Sequence, residues 1–333
     1  MGWDLEKTSR YSSEGRSIYT EDWDVLLILD ACRVDQLEDV ASEYSYLPDD
    51  VPEFHSLAGY SREWLCRNFT DKNQNKYFEE ISNTAYISGN PFTADVFSDD
   101  HPFGYLDEVW KYSWDDENGT IHPDALTDRA IQLWREGNYD RMIVHYMQPH
   151  IPFVGGNENW HEGFDPHSGD WGTKDQPKDL WARYRDGEIT ASREELWKAY
   201  QDNLRYVLDH LDDVLLKNIS ADSVVISADH GNAVGEGWYY GHGDVPLDVV
   251  QKVPWVTVSA KDSNQYTPEI QTDNQTDSNV EERLRLSATT TSLFYTFHIP
   301  DKLASDQLQP LVVIQTLIHL CQVHQRGTLG PSP

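Results

Sequence analysis

Two acidic residues stand where short apolar runs end. Asp30 closes WDVLLILD (residues 23–30), and Asp229 closes DSVVISAD (222–229), with His230 and Gly231 following at once. Ligands of open parallel sheets gather at the carboxyl ends of the strands. Two carboxylates and an imidazole at neighbouring strand ends make a site suited to a divalent cation. Each group also has a plainer account: Asp30 as the N-cap of a helix that follows a strand, and Asp229-His230-Gly231 as a tight turn with a polar cap. The segment that follows, Gly235-Glu236-Gly237-Trp238-Tyr239-Tyr240-Gly241-His242-Gly243, shifts the balance toward a site. Glycines around an aromatic cluster and one histidine describe a loop whose backbone passes close to something.

Those positions need strands that converge on one edge. Near-continuous Val, Ile and Leu content marks residues 23–30, 84–89, 140–147, 222–229 and 252–259 as strands covered on both faces, the pattern of a parallel sheet. Amphipathic stretches alternate with them. Residues 192–217 place Leu196, Tyr200, Leu204, Val207 and Leu211 on one helical stripe, and a second helix runs over 123–136 with Pro123 near its first position. Alternating strands and helices predict an α/β domain: three layers around a mostly parallel central sheet. Residues 155–186, rich in Gly, Asp, Trp and Pro, read as a long ordered loop, and 264–279 as a polar surface loop.

The chain has 333 residues, with 57 acidic side chains against 26 basic ones and a formal charge of −31. That length is ample for one large core. A field of that sign repels polyanions, so nucleic acid and an anionic membrane are excluded as main partners. Thirty-six Asp against 21 Glu, and 15 Arg against 11 Lys, describe the hydrated carboxylate coat of a halophilic protein. Twelve Trp, 18 Tyr and 10 Phe argue against disorder. Cys32, Cys66 and Cys321 include no CxxC pair and make neither a disulfide framework nor structural zinc. Residues 1–22 hold no apolar signal segment, and the longest apolar run, 311–321, is too short to span a bilayer. The cytoplasm is the expected compartment. From Leu286 onward only Asp301 and Asp306 are acidic, so residues 286–333 form an atypical C-terminal tail.

Four segments in order, LLILDACR, HYMQPHIPF, SADHGNAVGEGWYYGHG and KVPWVTVS, resemble the sulfatase branch of the alkaline phosphatase superfamily. More narrowly, the chain resembles the sulfatase-like proteins of halophilic archaea. The second segment, residues 145–153, is similar to that family's central H-x-P motif. The resemblance extends over roughly residues 20–285. It implies a three-layer alkaline phosphatase/sulfatase-like catalytic domain that hydrolyses or transfers phosphate or sulfate esters. It also implies one divalent metal ion, with Asp30, Asp229 and His230 as ligands and a hydroxyl in the fourth place. A serine hydroxyl is a poor nucleophile at neutral pH, and contact with a dication lowers its pKa.

The family places this nucleophile a few tens of residues after the first acid, a window that holds Ser56 and Ser61 in HSLAGYSREWL. Ser61 is the expected nucleophile and metal ligand, because it opens the amphipathic run 62–69, and a helix N-terminus favours an anion. Ser56 is the alternative, and a plain N-cap is the other account of Ser61. The resemblance implies that His150 faces the substrate's anionic oxygens or its leaving group. His242 would be a second substrate-facing group or the ligand of a further cation, unless it only anchors its loop.

The sequence departs from true sulfatases. Ser61-Arg62-Glu63-Trp64-Leu65 lacks the Pro and Arg of C/S-x-P-x-R, and Asp30-Ala31 reduces the first acid pair to one. The pattern is nearer to single-metal phosphotransferases of the superfamily, which use an unmodified hydroxyl. Cys66 reads as a small core residue, His145 as a satisfied core histidine, and Arg33 as a local partner of Asp35 rather than a substrate clamp. Mn, Ca, Mg and Zn all suit the donor set. The substrate would be a small-molecule or glycan phosphate or sulfate ester. No Walker A, Rossmann or GxSxG pattern occurs. A protein of another class, a non-catalytic binding or scaffold protein on the same fold, is the competing expectation.

Overall fold

The computed structural model describes residues 15–70, 76–98, 100–156 and 178–269. All lie in the first of two units into which the chain divides, Met1–Asn274. The tail 286–333, its boundary at 285, and residues 270–279 of the expected surface loop lie outside the described residues.

Seven strands form one sheet: β1 Val25–Leu29, β2 Glu53–His55, β3 Thr84–Ser88, β4 Tyr105–Asp107, β5 Arg141–Tyr146, β6 Ala221–Ser227 and β9 Lys252–Ala260, while β7 Ala233–Val234 and β8 Tyr240–Gly241 make a separate antiparallel hairpin. The order is β2-β9-β6-β1-β5-β3-β4. The run from β4 to β6 is parallel throughout. All five expected strands are present and the sheet is mostly parallel. The fifth, β9, corrects the reading in one respect: it runs antiparallel to β6, and β2 runs antiparallel to it. Between β6 and β9 stand only the β7–β8 hairpin and two single-turn helices. The chain therefore makes no crossover helix, and a parallel partner would need one. The three-residue strands β2 and β4 are too short to leave a periodic signal in the sequence.

Helices cover both faces. Leu26, Ile28, Tyr86, Ile143 and Val225 point to one face and pack against Trp64, Leu65 and Phe69 of the helix Ser61–Phe69. Alternate residues point to the other, where Tyr146 meets Thr127 of the helix Pro123–Glu136 through a 2.9 Å hydrogen bond. The helix Arg193–Asp213 packs beside that one and against Val34–Ala41, completing three layers. Pro123 sits at the start of its helix and Gly137, at φ 67°, ends it. Ser192 and Glu195 form a capping box for Arg193–Asp213, which stops before the expected residue 217 and continues as a 3-10 turn, Leu215–Lys217. The expected loop 155–186 contains a helix, Leu180–Arg185, capped by Asp179 and too short for periodicity to reveal. Residues 157–177 of that loop lie outside the described residues. Among the described residues, no helix is long and apolar enough to cross a membrane.

Candidate metal centre

The site lies at the carboxyl ends of β1, β5 and β6. Beyond β1, the Asp30 N–H still donates to the Tyr146 carbonyl at 3.0 Å, and the chain then turns sharply at Ala31, φ 64°. A left-handed conformation is uncommon for a residue with a Cβ. Partners hold it there: the Tyr200 hydroxyl donates to the Ala31 carbonyl, and the Ala31 N–H donates to Asp229 Oδ1 at 3.2 Å. The strand β6 ends at Ser227, so Asp229 lies in the following turn rather than on the strand. Its Oδ1 also accepts the His230 N–H at 2.9 Å. The capped turn anticipated as the plainer account is real, yet it occupies only one carboxylate oxygen.

The remaining oxygen faces a buried cluster. Asp30 is 1% exposed, and Asp229, His230 and His145 are fully buried. His230 Nε2 stands 3.4 Å from Asp229 Oδ2 and 3.6 Å from Asp30 Oδ1. His145, in β5, departs from the expectation of a satisfied core histidine. Its Nδ1 meets the Tyr86 hydroxyl at 2.8 Å, but Nε2 has no hydrogen-bond partner and faces Asp30 Oδ2 at 3.5 Å and Asp229 Oδ2 at 3.8 Å. Asp30 Oδ1 and Asp229 Oδ2 are likewise unpartnered. A buried polar atom left without a partner costs about 1–3 kcal/mol, so three of them converging demand an explanation. Donor atoms of Asp30, His145 and Asp229 lie within 4.8 Å of one another. Donors at about 2.0–2.2 Å from a tetrahedral ion stand about 3.3–3.6 Å apart, close to the separations seen. Oxygen and imidazole donors at this spacing fit a divalent cation.

Ser61 joins the cluster. Its Oγ lies 3.3 Å from both Asp30 Oδ2 and His230 Nε2. The N-cap of its helix is Tyr60, so Ser61 is the first helical residue, with its side chain turned inward. Ser56 is elsewhere engaged: its hydroxyl donates to the backbone carbonyl of Asp229 and so braces the turn. Asn90, not anticipated, donates from Nδ2 to Asp30 Oδ2 at 2.7 Å. It stands just past the carboxyl end of β3, where the strand-end rule points, but a lone amide among loop letters gives no signal of its own. The glycine loop does pass close to another segment. A Cβ at Gly59 would stand 2.1 Å from the Gly243 carbonyl, and one at Gly231 would stand 2.1 Å from that of Val249.

His150 and His242 lie beside the cluster. The His242 ring centroid is 4.4 Å from that of His230 and 5.1 Å from that of His150. His150 Nδ1 lies 2.7 Å from the Ile151 carbonyl and His230 Nδ1 lies 2.9 Å from that of Gly231. A carbonyl can only accept, so both Nδ1 atoms carry protons, and any second proton of either ring sits on Nε2. His242 Nδ1 meets Asn232 Oδ1 at 3.0 Å, so it is both anchored and beside the site. Burial, reinforced by His230 and His150, pushes His242 well below its usual pKa. Burial alone would raise Asp30, but His150, the contact with His145, and His230 outweigh it and hold the carboxylate ionised.

Arg33 makes the expected pair with Asp35, at 2.8 and 2.5 Å, and also donates to the Asn232 carbonyl at 2.9 Å. Buried at 3% exposure, it braces the loop that carries His242. Cys66 is half-buried rather than part of the core.

No family model and no curated protein matches the sequence. Among solved structures, the chain is similar to the soluble domain of lipooligosaccharide phosphoethanolamine transferase A from Neisseria meningitidis, at 15% identity over 69% of this chain and 75% of that one, with a TM-score of 0.46. The integral membrane form of that transferase gives 15% identity, 76% of this chain and a TM-score of 0.48, and the chain spans 50% of its length. The lipoteichoic acid synthase LtaP from Listeria monocytogenes gives 12% identity, 72% of this chain and 66% of that one, with a TM-score of 0.40.

Proposed function

We propose that this chain is a metal-dependent enzyme that hydrolyses or transfers phosphate or sulfate esters, with Ser61 as its nucleophile. The observation that carries the reading is the convergence of three buried, unpartnered donors, Asp30 Oδ1, Asp229 Oδ2 and His145 Nε2, beside an inward-facing hydroxyl. Asp30, Asp229 and His230 are the residues that would hold one divalent ion (Mn, Ca, Mg or Zn), with Ser61 completing the set and His145, whose Nε2 faces both carboxylates, as a further donor. A dication bound there supplies Lewis acidity, lowering the hydroxyl pKa and balancing charge on the transferring group.

The protein's own groups do the rest. Asp30 Oδ2 accepts the Ser61 hydroxyl hydrogen at 3.3 Å and so orients Oγ. The helix N-terminus favours negative charge on that oxygen. His150 and His242 are half-buried where the four donors are buried, so they flank the side from which an ester arrives. His242, held neutral, offers Nε2 as an acceptor, while His150, with Nδ1 tied to the Ile151 carbonyl, would protonate a leaving oxygen from Nε2 when that nitrogen carries the second proton. Because Ser61 lacks the C/S-x-P-x-R surroundings, an unmodified serine acting on phosphate esters is the preferred form of the reaction. A scaffold on the same fold has no use for unpartnered buried donors. The test is turnover of a panel of phospho- and sulfo-esters with Mn, Zn, Mg or Ca in turn, comparing wild type with Ser61→Ala. Turnover that the variant lacks supports the reading; no turnover in wild type, or equal turnover in both, refutes it.

A further inference from the structure

We infer that Asn203 is the positioning residue of the His150 loop, fixing that imidazole's orientation and tautomer from the long helix Arg193–Asp213. The inference rests on the reading of His150 as a substrate-facing group. Asn203 is fully buried, and its amide serves one loop alone. Nδ2 lies 3.1, 2.9 and 3.3 Å from the carbonyls of Pro149, His150 and Pro152. Oδ1 accepts the N–H groups of Val154 and Gly155 at 3.0 and 3.1 Å. Five backbone groups within residues 149–155 therefore depend on one side chain. Pro149 and Pro152 have no N–H of their own, so the loop cannot pair these carbonyls internally, and unpaired buried carbonyls are costly. Asparagine is also a poor choice for a helix interior, so helix formation does not explain it.

The consequence falls on His150. Of the four successive carbonyls from 149 to 152, three share the two Asn203 amide hydrogens, and the one left over, on Ile151, accepts the His150 Nδ1 hydrogen at 2.7 Å. The same loop geometry lets the His150 N–H donate to the Asp30 carbonyl at 3.0 Å. One turn earlier on the same helix, Tyr200 holds Ala31 through its hydroxyl. A single helix face is thus the frame for both loops, one bearing Asp30 and the other His150.

The test uses Asn203→Asp, which keeps the oxygen acceptors and removes both amide donors. The readouts are ring nitrogen NMR of His150, turnover, and titration with Mn or Zn. In the variant, metal affinity holds, His150 loses its single Nδ1-protonated form, and kcat falls roughly 10²-fold, as expected for a misplaced group, with little change in KM. Wild-type His150 nitrogen shifts and kcat in folded Asn203→Asp overturn the inference, even if the melting point drops. The nitrogen spectrum decides the matter even if the wild type proves inactive on esters, so failure of the functional reading is distinguishable. Should the aspartate variant not fold, Asn203→Ser, which puts no charge among the carbonyls, is read against the same two outcomes.

Discussion

Asp229 Oδ1 accepts the Ala31 N–H at 3.2 Å, linking the turn after β6 to the turn after β1 across neighbouring strands. This contact sets the two carboxylates side by side, because Ala31 adjoins Asp30. The other oxygen of Asp229 has no hydrogen-bond partner. One oxygen of the side chain thus braces the turns, and the other is left open toward the cluster.

That division makes Asp229→Asn informative. The amide oxygen can still accept the Ala31 N–H, so the metal-free variant should melt no lower than the metal-free wild type, with one buried negative charge fewer. The rise in stability on adding cation should vanish; for wild type it amounts to about 2.7 kcal/mol at a hundredfold excess over Kd. Melting curves with and without Mn or Zn check this, and an undiminished rise in the variant contradicts it.

The two serines should separate cleanly. Ser61→Ala should keep its stability and lose turnover. Ser56→Ala should retain the catalytic groups but lose about 1–3 kcal/mol, because the Asp229 carbonyl is left buried without its donor. Urea unfolding beside rate measurements distinguishes them. An inactive, fully stable Ser56→Ala would reverse the assignment.

The parallel core was legible because β1 and β6 carry Val, Ile and Leu runs, and β3 and β5 carry shorter apolar stretches, buried on both faces. Asp30, Asp229 and His230 were legible because they stand at or just past such runs. His145 was not: a histidine inside an apolar strand looks the same whether its second nitrogen is satisfied or exposed to two carboxylates. Asn90 and Asn203 were hidden for a related reason. Their roles depend on loops brought to them from 60 and about 50 residues away in the chain, which no local pattern records. The antiparallel sense of β9 is equally absent from its letters, since direction is set by the connection rather than by the strand.

Salt should stabilise the fold. With a net charge of −31, self-repulsion is strong in dilute buffer and screened at molar salt, where the Debye length is about 3 Å. The melting temperature should climb between low and molar KCl. A flat response would show that the surface ion pairs already balance the field.

Acid should weaken the fold through His210. Burial holds this imidazole below its usual pKa of 6.5, although Asp124, Asp128 and Asp213 pull it up, and its Nε2 has no hydrogen-bond partner. The unfolded chain takes up the proton more readily than the folded one. This contribution is therefore intact above about pH 6.5 and declines as pH falls from there toward the lower folded value. Urea midpoints for wild type and His210→Gln on either side of that pH check it. The wild type should lose more than the variant on acidification, and equal losses would assign the effect elsewhere.

The central claim is one cation held between β1 and β6, and anomalous diffraction at the metal edge from crystals grown with Mn or Zn tests it most directly. The account predicts a single peak about 2.0–2.6 Å from donor atoms of Asp30, Asp229 and His230, with Ser61 Oγ as its nearest hydroxyl. A peak elsewhere, or none at this cluster in protein that binds one ion per chain, contradicts it.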